Sequence, residues 1–336
     1  MHPWTELVED ARHYPSPHNS QPIKLRPLTP TRAAIYYDLD LGLPAENFGI
    51  PFAHVCAGVF VHGLSVTARA HGYSVLEDLD LAPMDFDSPE RLHPLGTVTL
   101  QPHTTTAQDR ALLATFLRRR TSRRPYRDRP LDPTAIEDVE RIAAASGQAF
   151  QHTQDPALIK RLVRVNQATL FSDLRNDAVH REIMTWLRFS RAQAEGSGDG
   201  LSAQTMLMPG KLLRAAMGHR KWWDAPLIGP ALRWMYLRTM RGVHHLGWMS
   251  GPFATEADYV RAGRSFLQLW LRFTEAGVSL HPFGTVITNP DSHREFVQAA
   301  GITEENGHMA WMLFRFGDSA EPPLAMRRPA AAMLVH

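Results

Sequence analysis

Two short strings carry the residue types best suited to chemistry. Pro15-Ser16-Pro17-His18-Asn19-Ser20-Gln21-Pro22 presents Ser16, Asn19 and Gln21, neutral donors and acceptors on a segment stiffened by three prolines. Such a loop can meet the N–H and C=O edge of a planar heterocycle at low entropic cost. About a hundred residues later, Arg118-Arg119-Arg120-Thr121-Ser122-Arg123-Arg124-Pro125-Tyr126 gathers guanidiniums around a hydroxyl. Arg119, Arg120 and Arg123, with Thr121, could neutralise a phosphate dianion, each charge-assisted hydrogen bond contributing ~1.5–3 kcal/mol. Arg327-Arg328-Pro329 is a further basic pair, and His281-Pro282-Phe283-Gly284 is a proline–glycine segment ahead of Thr285-Val286-Ile287. Taken singly, these strings equally describe a surface turn, a solvated basic face and a proline–glycine turn.

Taken together, they resemble the signatures of the nitroreductase-like FMN flavoproteins, a P-S-x-x-N-x-Q-P loop beside the flavin ring and an R-x-[ST]-x-[RK] segment on its phosphate. The resemblance implies that Pro15, Ser16, Asn19 and Gln21 face the ring. It implies that Arg119, Arg120, Thr121, Arg123, Arg327 and Arg328 hold the phosphate, and that Pro282, Phe283 and Gly284 lie along the redox edge. No catalytic side chain is implied, because the flavin carries the hard chemistry. The implied activity is an FMN-dependent oxidoreductase moving hydride between NAD(P)H and a small organic acceptor of nitro, quinone or enone type. Two alternatives stand beside it: a flavin-sequestering protein without turnover, and a pathway-specific flavin dehydrogenase using oxygen as acceptor.

The elements that must position these residues follow from periodicity and turn chemistry. The pattern predicts a helix over 4–13, strands at Lys24–Arg26 and Ala33–Asp38, and a buried helix from Phe52 to His71 closed by Gly72. It further predicts a strand at Thr97–Gln101, a linker His103–Thr106, a helix into the arginine cluster, and helices at Pro133–Ala145 and across 156–194. Ala57-Gly58 followed by Gly72 recurs as Ala262-Gly263 followed by Gly277, at a constant offset of 205 residues. A strand follows each copy, Thr97–Gln101 and Trp311–Phe316. The expected fold is α+β, two tandem half-units over 1–105 and 106–336, resembling an Acg-type fused pseudo-dimer that is monomeric or a higher homo-oligomer. Residues 195–250, rich in Met, Trp and Arg, are expected as an inserted lid; packing between the halves and contact with a membrane surface are the other readings.

Composition narrows the remaining classes. A net charge of +2 over 336 residues argues against a nucleic-acid partner. Cys56 is the only cysteine, so no internal disulfide can form. The start of the chain lacks a signal-peptide pattern and no window suits a membrane span, so a cytoplasmic location is expected. H-E-x-x-H, G-x-S-x-G, P-loop and G-x-G-x-x-G patterns are all absent from the sequence.

Overall fold

A computed structural model describes residues 3–335. Helix α1 (Pro3–Ala11) buries Trp4, Leu7, Val8 and Ala11, a stripe at helical spacing. Strands β1 (Ile23–Pro27) and β2 (Arg32–Asp38) form an antiparallel hairpin around residues 28–31. A single turn, α2 (Pro44–Asn47), precedes α3 (Phe52–Ala70), which is apolar on nearly every side and correspondingly buried all round. Strands β3 (Tyr73–Asp78) and β4 (Leu92–Pro102) complete a sheet of order β1-β2-β4-β3, every pair antiparallel.

The chain then crosses to a second unit. Helix α4 (Ala107–Arg118) starts on a reciprocal capping box between Thr106 and Asp109. After it come β5 (Tyr126–Arg127), α5 (Pro133–Ala145) and β6 (Ala149–Thr153). A long insertion follows: α6 (Pro156–Asp173), α7 (Asp177–Trp186), β7 (Leu187–Arg188), α8 (Arg191–Ser197), β8 (Leu201–Ser202), α9 (Gly210–Gly218) and α10 (Ile228–Thr239). Strand β9 (Leu246–Pro252), α11 (Glu256–Glu275), β10 (Ser279–Pro282), α12 (Gly284–Thr288), α13 (Pro290–Ala300) and β11 (His308–Ser319) close the unit. The second sheet runs β6-β9-β11-β10 with short β5 added against the end of β11, again antiparallel throughout.

The two sheets have the same strand order and the same helix position. In each unit two strands precede a long helix and two follow it, so the chain is an α+β protein of two tandem half-units. The long helices α3 and α11 cross at the repeated glycines. A methyl added at Gly58 would overlap the Val260 carbonyl, and one at Gly263 would overlap the Val55 carbonyl. Val55 and Val260 are themselves 205 residues apart. The contact is therefore reciprocal, as at a two-fold axis between subunits, although both helices belong to one chain. Glycine is required because the backbones approach too closely for any Cβ.

Three apolar cores result. One lies under the first sheet and takes in Val260, Leu267 and Leu271 of α11. A second lies between the second sheet, α5, α6 and α11. The third is a small core within the insertion, built around Leu213, Met217 and Trp223.

Four details depart from the sequence expectation. The 156–194 stretch is three helices, because Asn176 caps a new helix at α7 and Ser190 caps α8. The insertion extends from the end of β6 to Leu246, and Trp248 belongs to β9, packed in the core against Phe296. Further strands, β3 and β10, follow the repeat helices directly. Thr106, expected in a linker, is a helix cap. Among the described residues no helix is long and apolar enough to cross a membrane.

Candidate functional site

A cavity of about 420 Å³ opens between the two units and beneath the insertion, a size typical of a small-ligand site. Its floor is the helix crossing: Val55, Cys56 and Val59 of α3 face Phe266 and Trp270 of α11. Its roof comes from the insertion, with Met206, Met208, Met217, Trp223, Met235 and Tyr236 contributing flexible or aromatic surface. Polar groups are the minority and come from several chain segments.

The first segment is the loop at 15–22. Pro15, Ser16 and His18 line the cavity. The loop is pulled tight by Asn19 N–H donating to the Ser16 carbonyl (3.0 Å) and Gln21 N–H donating to Ser16 Oγ (2.9 Å). Three residues without glycine's freedom, His18, Asn19 and Gln21, take φ of 48°, 57° and 55°. Such left-handed residues hold strain that surrounding contacts must over-determine. Those contacts are the side chains of Asn19 and Gln21 themselves. Asn19 Nδ2 donates to the carbonyls of Met326 (2.9 Å) and Gly200 (3.4 Å), while its Oδ1 accepts from Arg327. Gln21 Nε2 donates to the carbonyls of Asn19 (3.1 Å) and Gly198 (3.0 Å), and its Oε1 accepts from Arg328 N–H (3.0 Å). Neither amide lines the cavity; both hold the C-terminal tail and the 198–200 turn.

The arginine segment follows α4 as extended chain. Ser122 N–H donates to the Leu280 carbonyl (3.0 Å), laying Thr121 and Arg123 along β10 and into the cavity wall. Arg123 has no hydrogen-bond or ion-pair partner among the described residues, and burial, reinforced by nearby Arg315, lowers its pKa to about 10. Arg119 is 5% exposed, stacks over the cavity-lining Trp270 ring at 4.4 Å and donates weakly to the His13 carbonyl (3.4 Å). Arg327 donates to that same carbonyl (3.3 Å). Burial, then the charges of Arg327 and Arg120, push Arg119 down to about 9. Among the described residues, the only carboxylate paired with Arg119, Arg120 or Arg327 is exposed Glu321, 3.8 Å from Arg120. Arg119, Arg120 and Arg327 each keep a buried Nε with no partner. Arg328 differs: Asp199 neutralises it (Nε–Oδ2 3.0 Å) and also takes Arg188.

Pro282, Phe283 and Gly284 line the opposite wall, where β10 gives way to α12. The Phe283 N–H is already engaged by the Leu313 carbonyl (2.8 Å).

Sequence reasoning overlooked several groups. Arg315, fully buried on β11, bonds the carbonyls of Thr239 (2.7 Å) and Ser122 (3.1 Å) and the His281 ring (3.2 Å), with no carboxylate. An arginine inside the apolar run Trp311–Phe316 was a visible signal for it. His18 and Glu46 also meet on the cavity wall, Nδ1 to Oε2 at 3.2 Å; no sequence pattern links them. Burial, then Arg123, lowers His18 to about 4, and burial raises Glu46 to about 7.

No protein family matches the sequence, and no curated protein matches it significantly. Among solved structures, the chain is similar to an FMN-bound nitroreductase from Bacteroides fragilis, with 12% identity over 65% of this chain and 92% of that one, TM-score 0.38. It is similar to the FMN-dependent nitroreductase NfnB from Mycobacterium smegmatis in complex with NADPH, with 15% identity over 62% and 88%, TM-score 0.37. It is also similar to an iodotyrosine deiodinase bound to FMN and 3-iodo-L-tyrosine, with 14% identity over 65% and 94%, TM-score 0.39. Identities and superpositions this low assign no activity to the chain; its own site has to carry that.

Proposed function

We propose that the protein is a nitroreductase-like, FMN-dependent oxidoreductase that passes reducing equivalents from NAD(P)H to an organic acceptor of nitro, quinone or enone type. One observation carries the reading. Arg119, Arg120 and Arg327 converge beside an apolar cavity with unpartnered Nε atoms and almost no carboxylate to offset them. Buried cations without counter-ions are costly, and a ligand dianion would offset that cost. A phosphate on a flat, largely apolar ring system fits both the guanidiniums and the cavity beside them.

In this reading Arg119, Arg120 and Arg327 take the phosphate. Thr121, Arg123, Pro15 and Ser16 flank the ring, and Arg123 supplies positive charge on one side of it. Bound flavin supplies hydride transfer, and a nearby cation favours its reduced, anionic form. Gly284 opens α12, so its N–H is free of helical bonding and is the backbone donor left on that wall. Phe283 contributes packing. Asn19 and Gln21 act through the tail: Asn19 aims Arg327, and Gln21 fixes the backbone of Arg328. Arg328, held by Asp199, positions the tail and leaves the anion to its neighbour. The insertion's Met and Trp side chains exclude water over the ring.

Purified protein is expected to be yellow and to release FMN on heating. The double variant Arg119→Ala/Arg327→Ala is expected to be folded and colourless. Stoichiometric FMN in that variant refutes the phosphate assignment.

A further inference from the structure

The part of the cavity wall around Glu46 carries carboxyl groups in place of guanidiniums. Glu46 lines the cavity, and its carboxyl accepts no aligned hydrogen bond from the described residues; its near neighbour, His18 Nδ1, is buried without an aligned partner. Behind Glu46, the Glu182 oxygens are occupied by the N–H groups of Ala45 (2.9 Å) and Glu46 (2.8 Å). Asp173, 4% exposed, accepts from Asn289 on one oxygen (2.7 Å), and its other oxygen is buried with no partner. Among the described residues, no Lys or Arg pairs with any of these three carboxylates. A second observation concerns the neighbouring wall. Thr288, 4% exposed and on the cavity wall, has a hydroxyl with no partner. It stands on α12, which packs against α2.

The groups facing Glu46 are His18 from the loop, Glu182 from α7, Asp173 from α6 and, farther along the wall, Arg123. His18 is kept neutral by burial and by Arg123, so it cannot serve as counter-ion. Burial alone already holds the Glu46 proton up to about pH 7. What is missing at this end is a cation small enough to enter past methionines and aromatic rings.

We infer that the Glu46 end of the cavity binds the protonated nitrogen of an otherwise apolar, amine-bearing ligand, with Thr288 as a further acceptor. This rests on the reading that the cavity is the substrate site, and it names the substrate class: a hydrophobic or aromatic body carrying a primary or secondary amine. Binding converts the neutral carboxyl to a carboxylate, so the complex releases the Glu46 proton to solvent while the ammonium keeps its own.

Calorimetry on the protein as isolated tests this with naphthylmethylamine and its neutral isostere naphthylmethanol. The amine is expected to bind about ten- to a hundredfold more tightly, the range of a hydrogen bond to a charged group. Titrations near pH 6 in buffers of different ionisation enthalpy are expected to show release of roughly one proton. Glu46→Gln is expected to abolish both the preference and the proton release while leaving naphthylmethanol affinity unchanged, which also shows that the variant is folded. Equal affinity for the two probes, binding of neither, or an amine preference that survives Glu46→Gln overturns the inference. The flavin absorbance of the same samples reports separately on the proposed function: a colourless protein that prefers the amine removes the flavin and leaves the amine site.

Discussion

The two half-units share strand order, antiparallel pairing and a reciprocal helix crossing, yet they differ in what they add around the cavity. In the first unit the first two strands, β1 and β2, are joined by the tight turn at 28–31. In the second, the equivalent strands β6 and β9 are separated by the whole insertion, which brings its own small core and roofs the cavity. The loop at 15–22 and α2 come only from the first unit; the arginine segment and Pro282–Gly284 come only from the second. The symmetric helices hold the molecule together and floor the cavity, and the asymmetric parts supply its walls, its roof and most of its polar groups. One composite site can form this way, since neither unit carries all its parts.

The comparison breaks most severely at the crossing. Gly58→Ala and Gly263→Ala each force a methyl into a backbone carbonyl and are expected to destabilise by about 3 kcal/mol or more, since no flexible side chain can yield. Symmetry requires the two losses to be similar in denaturant titrations; a loss at only one site shows that the crossing is not reciprocal in energy.

The tail arginines give the next effect. Arg327→Ala is expected to weaken FMN retention by about 1.5–3 kcal/mol, the contribution of one charge-assisted bond. Arg328→Ala should leave retention nearly intact and lower stability by freeing buried Asp199. Equilibrium dialysis and thermal unfolding of both variants separate the two roles.

Glu46 adds a pH dependence from the first unit's side of the cavity. An exposed glutamate loses its proton near 4.5, whereas the folded protein keeps it on Glu46 to about 7. The native state binds the extra proton between those values, so its stability falls as pH rises through that window. Glu46→Gln should therefore flatten the decline by about 3 kcal/mol, read as unfolding free energy at several pH values. The decline that remains belongs to Asp173 and Glu182, which burial raises in the same direction.

The smallest effect distinguishes the paired helices at their starts. Helix α11 opens on a capping box of Thr255 and Asp258, while α3 opens at Pro51 with no side-chain cap. Thr255→Ala is expected to cost about 1 kcal/mol in a thermal melt, and α3 offers no equivalent substitution.

Local signals determined a good deal of this molecule. The glycines at 58 and 263 and the apolar helices around them were readable, because they depend on neighbours within one or two turns, whereas the caps at Thr106, Asn176 and Thr255 were not read. The 205-residue offset was readable for the same reason, and from it the two half-units. The residue types at 15–22, 119–123 and 327–328 announced recognition of a polar ligand edge and an anion, but their directions did not follow. Only the folded chain decided that Asn19 and Gln21 turn toward the tail, that Asp199 removes Arg328 from the free cations, and that Arg119, Arg120 and Arg327 keep unpartnered nitrogens. Only it brought His18 to Glu46, from segments with no shared pattern. Side-chain charge is written in the residue; whether that charge is already satisfied depends on partners contributed by chain hundreds of residues away, and only packing places them.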